Sequence, residues 1–191
     1  MIAGVSAQDG ISGYLKITIT QGAHVVTGYI GEGSSKTITS NWSSPFESDS
    51  VGKAAALEKT SSVAQAATGV TSVSKFNSQM VWEGTTPPTF NLTILFQATS
   101  NPKNEVHDAI MLLEQFASPE LNELAPGGRV PSPVVVDVGR RIKIANVQIL
   151  DVTSELDTPR SKSGYMMRNT VQVTLAPAQM VNASEIPGIY L

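Results

Sequence analysis

The chain has no cysteine among its 191 residues. A disulfide framework and a thiolate metal site are therefore excluded, and the fold must be held by packing alone. Charge is scarce as well: Asp, Glu, Lys and Arg make up 15% of the residues, against about 25% in an ordinary soluble domain. Surfaces that bury against other proteins are depleted in Lys, Glu and Asp, so a sparsely charged exterior suits a subunit covered by its neighbours. A Ser- and Thr-rich β protein that simply carries few charges has the same composition, and composition does not separate the two. The formal net charge of -3 leaves no electrostatic footprint for phosphate, so no sequence-specific nucleic acid is expected as a partner. No apolar run approaches the ~18 residues a bilayer-spanning helix needs, and residues 1–10 lack a basic start before an apolar stretch. The expectation is a soluble, unexported product without a membrane partner.

A chain of this length can bury one sizeable core, and a single domain over residues 1–191 is expected. Residues 1–78 hold a hairpin, a long loop and an Ala-rich helix, residues 79–176 a β core, and residues 177–191 an extended C-terminal arm. Leu15, Ile17 and Ile19 alternate with Lys16, Thr18 and Thr20, the period of a strand with one buried face, and Gln21-Gly22 reverses the chain into residues 23–30. Residues 31–50, rich in Gly, Ser and Thr with Trp42, Pro45 and Phe46 among them, read as a docking loop. Residues 51–67 carry alanines around Leu57 and Val63 and end near Gly69, the pattern of a small-faced helix.

The clearest strand is Phe90, Leu92, Ile94 and Phe96, entered from Pro87-Pro88, with residues 79–82 pairing nearby. Asn101-Pro102 opens a helix whose face is Val106, Ala109, Ile110, Leu113 and Ala117, and Ser118-Pro119 stops it. After a Pro- and Gly-rich passage at 126–133 come Val134 to Val136 and a strand with Ile142, Ile144, Val147 and Ile149. Its alternation slips by one, which a bulge near Ala145-Asn146 explains. Val171, Val173 and Leu175 mark the last strand, behind a polar loop at 158–164. The fold class is mainly β with flanking helices (α+β).

Candidate chemistry is thin. Residues 31–37, Gly-Glu-Gly-Ser-Ser-Lys-Thr, miss the phosphate-loop spacing because Ile30 and Ser35 stand where glycine is required. Of the two histidines, His24 follows a turn, and His107 lies beside Asp108 on what reads as the polar face of the helix; no serine sits in a nucleophile elbow. Asp137, Asp151, Glu155 and Asp157 are scattered, with no spacing that selects a carboxylate pair. Three Asn-x-Ser/Thr matches, at Asn41, Asn91 and Asn182, have no secretory signal to give them meaning. The reading is a protein without catalytic, cofactor-binding or metal-binding residues, and not an enzyme.

Several blocks in order carry a resemblance: Trp82-x-Gly84; Pro88-x-Phe90-x-Leu92-x-Ile94-x-Phe96; Leu112-Leu113; Leu124-Ala125-Pro126-Gly127-Gly128; Val134-Val135-Val136; Gly139-Arg140-Arg141-Ile142-x-Ile144-x-Asn146-Val147; and Val171-x-Val173-x-Leu175. Over about residues 79–176 the chain resembles baseplate and tube-adaptor proteins of contractile-tailed bacteriophages, tube initiators among them. That resemblance implies a tail-tube-like antiparallel β-sandwich or rolled sheet with one packed helix. It further implies a virion protein of the tail or baseplate, assembled in the host cytoplasm, whose partners are tube, hub and wedge subunits and copies of itself in a ring. Some relatives add a peptidoglycan-binding module, for which this chain ends too early.

Trp42 and Phe46 on the loop and Ile189, Tyr190 and Leu191 on the arm are the expected interface residues, buried against partner subunits. The alternative within the class is a tail completion or terminator ring. Outside it stand a ligand-binding β-sandwich and a hydrolase that recruits His24 or His107.

Overall fold

A computed structural model describes residues 1–6, 8–44, 79–124 and 126–191. The chain parts into two units, Met1–Ile38 with Pro87–Leu191 and, inserted in sequence, Thr39–Thr86. The expected Ala-rich helix at 51–67 lies outside the described residues.

In the first unit β1 (Ile2–Gly4), β2 (Lys16–Gln21), β3 (His24–Ile30) and β4 (Ser35–Thr37) precede the insertion. The second unit contributes β5 (Ser40–Ser43) and β6 (Val81–Thr85). After it come β7 (Thr89–Gln97), helix α1 (Asp108–Ala117) entered through a wider turn at Lys103–His107, β8 (Val134–Val138), β9 (Ile142–Ser154) and β10 (Arg168–Pro177). The expected strands and the helix expected behind Asn101-Pro102 are present, and the protein is mainly β. Residues 31–50 are not one loop: β4 pairs with β7 through Ser35–Thr37, and Ser40–Ser43 belong to the second unit's ribbon.

Strands run antiparallel in the order β3-β2-β8-β9-β10-β7, and β7 returns to β3 through Tyr29 opposite Leu95 and Ile30 opposite Ile94. One sheet is thus rolled and closed into a six-stranded barrel; of the two expected arrangements, a sandwich or a rolled sheet, the sandwich is corrected. Closure needs strong local coiling, and β9 supplies it with two bulges. Val136 faces Ile144 while Val134 faces Val147, so β9 carries an extra residue there, and Asn146 takes the left-handed conformation (φ 58°) that Asn tolerates. The slip in alternation is this bulge. A second one, between Thr174 opposite Asp151 and Leu175 opposite Ile149, turns Leu150 out to solvent.

Every strand of the barrel then sends its apolar alternates inward. Ile17, Ile19, Val26, Phe90, Leu92, Ile94, Phe96, Val134, Val136, Ile144, Val147, Val171, Val173 and Leu175 form one buried cluster. Helix α1 and the turn that enters it add Val106, Ala109, Ile110, Leu112, Leu113 and Phe116 at the end where β2 turns into β3: Gln21 Nε2 donates to the Phe116 carbonyl at 3.5 Å. Its first turns are more deeply set than a polar face. Glu105 and Asp108 are buried, Glu105 because it accepts the backbone N–H groups of Thr99 and Ser100 and the Ser100 hydroxyl, Asp108 because it pairs with Lys103 at 2.9 Å.

The opposite end is covered by the C-terminal segment, which corrects the expectation of an extended arm. A tight turn at Ile186–Ile189 places Ile189 in the core, Tyr190 bridges to Ile142, and the Leu191 N–H donates to the Arg141 carbonyl at 2.8 Å. Ile189 is an apolar residue at the mouth of an apolar barrel, so burial at home outweighs projection.

In the second unit β5 and β6 form a two-stranded antiparallel ribbon with Trp42 opposite Trp82, continued by the Thr86 N–H donating to the Thr39 carbonyl at 3.0 Å.

Gly28 stands at the barrel's seam, where a Cβ would meet Ile94 Cγ2 at 2.2 Å and Phe96 Cε1 at 3.0 Å. Gly28→Ala is expected to overpack the seam and cost about 1–3 kcal/mol. A urea titration of the two proteins measures it, and an unchanged midpoint would show that the seam yields freely.

Candidate functional site

The interior is packed, so anything the first unit does it does on its surface. Three recesses described there are open: ≈310 Å³ beside Tyr29, Arg168 and Asn169, ≈290 Å³ between Ile2, Ile11, Lys16 and Arg140, and ≈270 Å³ between Asn91, Thr93, Gln172 and Thr174. Among the described residues no three His, Asp or Glu side chains gather where a metal could sit. His24 lies against the Met1 amino group at 3.2 Å and His107 against the Tyr165 ring at 5.4 Å. Asp137 accepts the Arg140 N–H, and Asp151 accepts the Thr153 hydroxyl. Each of these groups has a local structural partner, and among the described residues no hydrogen bond joins either histidine to a serine or a carboxylate.

What the first unit does present is apolar side chains on fixed backbone. After α1 stops at Ser118-Pro119, Glu120 and Arg129 exchange both backbone hydrogen bonds, at 3.0 and 2.6 Å, and close the neck of a loop. Gly128 permits that approach, since a Cβ there would lie 2.4 Å from the Glu120 carbonyl oxygen. Gln21 Nε2 donates to the Ser132 carbonyl at 2.6 Å and ties the loop's return to the barrel. Leu121, Leu124 and Val130 stand on this loop 77%, 99% and 82% exposed. Three large apolar residues are thus left in water on an anchored loop.

The far end of the barrel carries a different surface. A buried network fixes the segment before β2: Asp9 Oδ1 accepts the Lys16 ammonium at 2.7 Å and the Ile11 N–H at 2.9 Å, and Asp9 Oδ2 accepts the Tyr29 hydroxyl at 2.6 Å. Burial pushes the Asp9 carboxyl up, but the hydrogen bonds from Lys16, Tyr29 and Ile11 outweigh it and hold it at about 2. The same burial, with the Asp9 charge beside it, pushes Tyr29 up to about 12. Beyond this anchor Tyr14 lies exposed with the Arg141 guanidinium 5.5 Å from its ring centre, and the Lys36 ammonium sits 4.9 Å from that of the exposed Tyr190. Arg140, left-handed at φ 52°, completes the group next to Gly13.

On the second unit's ribbon Trp42 and Trp82 are 54% and 50% exposed, with Met80 and Val81 exposed beside them. Trp82 Nε1 donates to Thr85 Oγ1, and Ser43 donates to the Glu83 carboxylate, so the strands are fixed while the indoles stay half open.

Of the expected interface residues, Trp42, Tyr190 and Leu191 are exposed, Ile189 is spent in the core, and Phe46 lies outside the described residues. Trp42 belongs to the second unit, Tyr190 and Leu191 to the C-terminal end of the first. Sequence reasoning passed over Leu121, Leu124 and Val130, whose only signal is large apolar residues inside a passage of turn residues with no periodicity. No family model and no curated protein matches the chain.

The Asp9 carboxylate is depressed, so the stability it contributes is complete above its unfolded value of 3.8 and is lost as pH falls toward about 2. Asp9→Asn leaves the Lys16 ammonium buried without its counter-charge and is expected to lose about 3 kcal/mol at neutral pH. Glu105, held below its ordinary range by the N–H groups it accepts against the opposing effect of burial, contributes acid sensitivity of the same sign. Thermal melts of the variant between pH 4 and 2 should therefore slope less steeply than wild type without becoming flat, and equal slopes would remove Asp9 from the account.

Proposed function

We propose that this chain is a non-enzymatic structural subunit of a contractile phage tail, one that connects or initiates the tail tube at the baseplate through protein–protein contacts and sits there in rings of copies. The observation that carries the reading is the ribbon of β5 and β6. Its two antiparallel strands set two half-exposed tryptophans opposite each other, with Met80 and Val81 exposed beside them. Aromatic side chains of this kind contribute most when another protein covers them, and Trp leads the residues that dominate interface energies.

The remaining features agree in kind. The sequence is poor in charge, apolar residues project from an anchored loop, and the packing and turn residues of 79–176 resemble those of tube-adaptor proteins. His24 and His107 are held in local contacts that require no substrate. The reading therefore assigns binding to the surfaces and turnover to nothing.

Deleting the gene from the encoding phage and imaging the particles tests it. Expected are baseplates without tubes, restored by the wild-type chain and not by Trp42→Ala/Trp82→Ala, while Trp42→Phe/Trp82→Phe restores them in part. The double histidine variant His24→Ala/His107→Ala should restore tails fully. Intact, contractile tails in the deletion strain, or virions from which mass spectrometry finds the chain missing, would sink the assignment.

A further inference from the structure

The recess of ≈290 Å³ differs from the other two of the first unit in what walls it. Those two are lined by barrel strands and the turns that join them, whereas here the segment leading from β1 into β2 contributes Val5, Ile11 and Gly13, and β1 adds Ile2. The floor is one row across three strands, since Thr18 of β2 stands opposite Thr27 of β3 on one side and Asp137 of β8 on the other. The two threonine hydroxyls lie 3.3 Å apart and share a hydrogen bond. The wall is fixed: Val5 is buried, its N–H donates to the Thr27 carbonyl at 2.8 Å, and the Asp9 network ties down the residues that follow.

Lys16 also lines the recess, but its ammonium is taken by Asp9 at 2.7 Å and by the Ser6 carbonyl at 3.0 Å. One charge of each sign is left. Asp137 Oδ1 accepts the Arg140 N–H at 2.9 Å, while Asp137 Oδ2 and the Arg140 guanidinium have no hydrogen-bond or ion-pair partner among the described residues, each other included. Arg140 is exposed, yet its side chain runs against the Gly13 backbone, where a Cβ would lie 2.8 Å from Nε.

We infer that this recess binds a small zwitterion with an aliphatic body, an α-amino acid of the leucine, isoleucine or valine kind. The Arg140 guanidinium takes the α-carboxylate through charge-assisted hydrogen bonds, Asp137 Oδ2 accepts the α-ammonium, and Ile2, Val5 and Ile11 cover the side chain. Charge decides the class. An apolar molecule would keep water from both charged groups without replacing it, and a ligand of one sign would leave the opposite group unpaired. An amino acid carries both signs about one carbon and satisfies both groups. Size agrees, because ≈290 Å³ stands at the lower end of the range for ligand pockets, about 300 Å³, as suits a molecule of amino-acid size. The two charged groups flank a tight turn closed by the Arg141 N–H donating to the Val138 carbonyl, so little ordering remains for the ligand to impose.

The inference goes beyond the proposed function, which requires no small molecule, and either can fail while the other stands. The purified, isotope-labelled full chain is titrated with L-leucine and followed through its amide NMR signals. Saturable shifts are expected at Ile2, Ile11, Thr18, Thr27 and the turn from Asp137 to Arg141. N-acetyl-leucine, which lacks the ammonium, and leucinamide, which lacks the carboxylate, should each bind at least about tenfold more weakly, the scale of one lost charge-assisted pair.

Asp137→Asn keeps an acceptor for the Arg140 N–H, and it should weaken leucine at least about tenfold while leaving N-acetyl-leucine unchanged. Arg140→Gln should weaken leucine by a similar factor and leave leucinamide unchanged. Arg168→Gln, at the ≈310 Å³ recess, should alter none of these affinities. Thermal melts check that each variant is folded; should Asp137→Asn fail, the exposed Arg140→Gln and the two blocked ligands still carry the test. No saturable shift with leucine, isoleucine or valine overturns the inference. So do blocked forms that bind as tightly as leucine, and shifts centred away from the recess.

Discussion

The barrel exists because two residue pairs bring β7 back to β3. Tyr29 with Leu95 and Ile30 with Ile94 are few pairs for a closing seam, and they are few because the edges on either side are already used. β1 takes the edge of β3 along Val25 to Thr27, and β4 takes the edge of β7 along Thr89 to Asn91. The short strands thus complete ladders that the seam alone leaves open, which matters because an unpaired strand edge is a site of unwanted pairing. Gly28 and Gly31 let the backbones approach: a Cβ at Gly31 would stand 2.7 Å from Thr93 Cγ2, and the Gly31 N–H donates to the Thr93 carbonyl at 2.7 Å. The glycine-rich run that superficially suggests a phosphate loop is in fact the hinge by which the chain leaves β3 and pairs with β7.

Elements with a local cause could be read from the sequence. The alternation of β7 and β10, the helix behind Asn101-Pro102 and the bulge at Asn146 follow from side-chain period and backbone preference, and the structure repeats them residue by residue. Closure could not be read, because it depends on pairs such as Ile30 with Ile94 that lie far apart in sequence and on the coiling that two bulges in β9 add together. β4 was missed for the same reason. Ser35, Lys36 and Thr37 have no apolar alternation, and only the free edge of β7 makes them a strand.

Burial of charge was the other thing hidden. Lys16 reads as the solvent-facing alternate of Ile17, yet its side chain is nearly inaccessible because Asp9, seven residues earlier, folds back over it. Glu105 drew no notice in the sequence, yet it serves as an acceptor for the turn that precedes the helix. In both cases the decisive partner sits on an irregular segment, where neither period nor propensity gives a signal. The candidate surfaces were hidden in the same way. Tyr14 and Leu124 lie in stretches where exposure is set by how a turn is tied down and not by any repeat.

These two lessons bear on each other. The network of Asp9, Lys16 and Tyr29 removes a lysine from solvent, and the loop neck at Glu120 and Arg129 holds two leucines and a valine in it. Neither arrangement is the most stable choice for an isolated chain: a buried ion pair often stabilises no more than apolar packing does, and exposed leucines forgo burial. The core of the barrel is continuous and has no need of either. What the two share is rigidity at the margins of the fold, since the network pins the segment that leads to Tyr14 and the neck pins the segment that presents Leu124. A surface held in one shape loses less conformational entropy if another protein covers it, which is what the proposed assembly would draw on. The apolar mouth of the barrel shows the same economy in reverse, because there Ile189 is available from the chain itself and no partner is required.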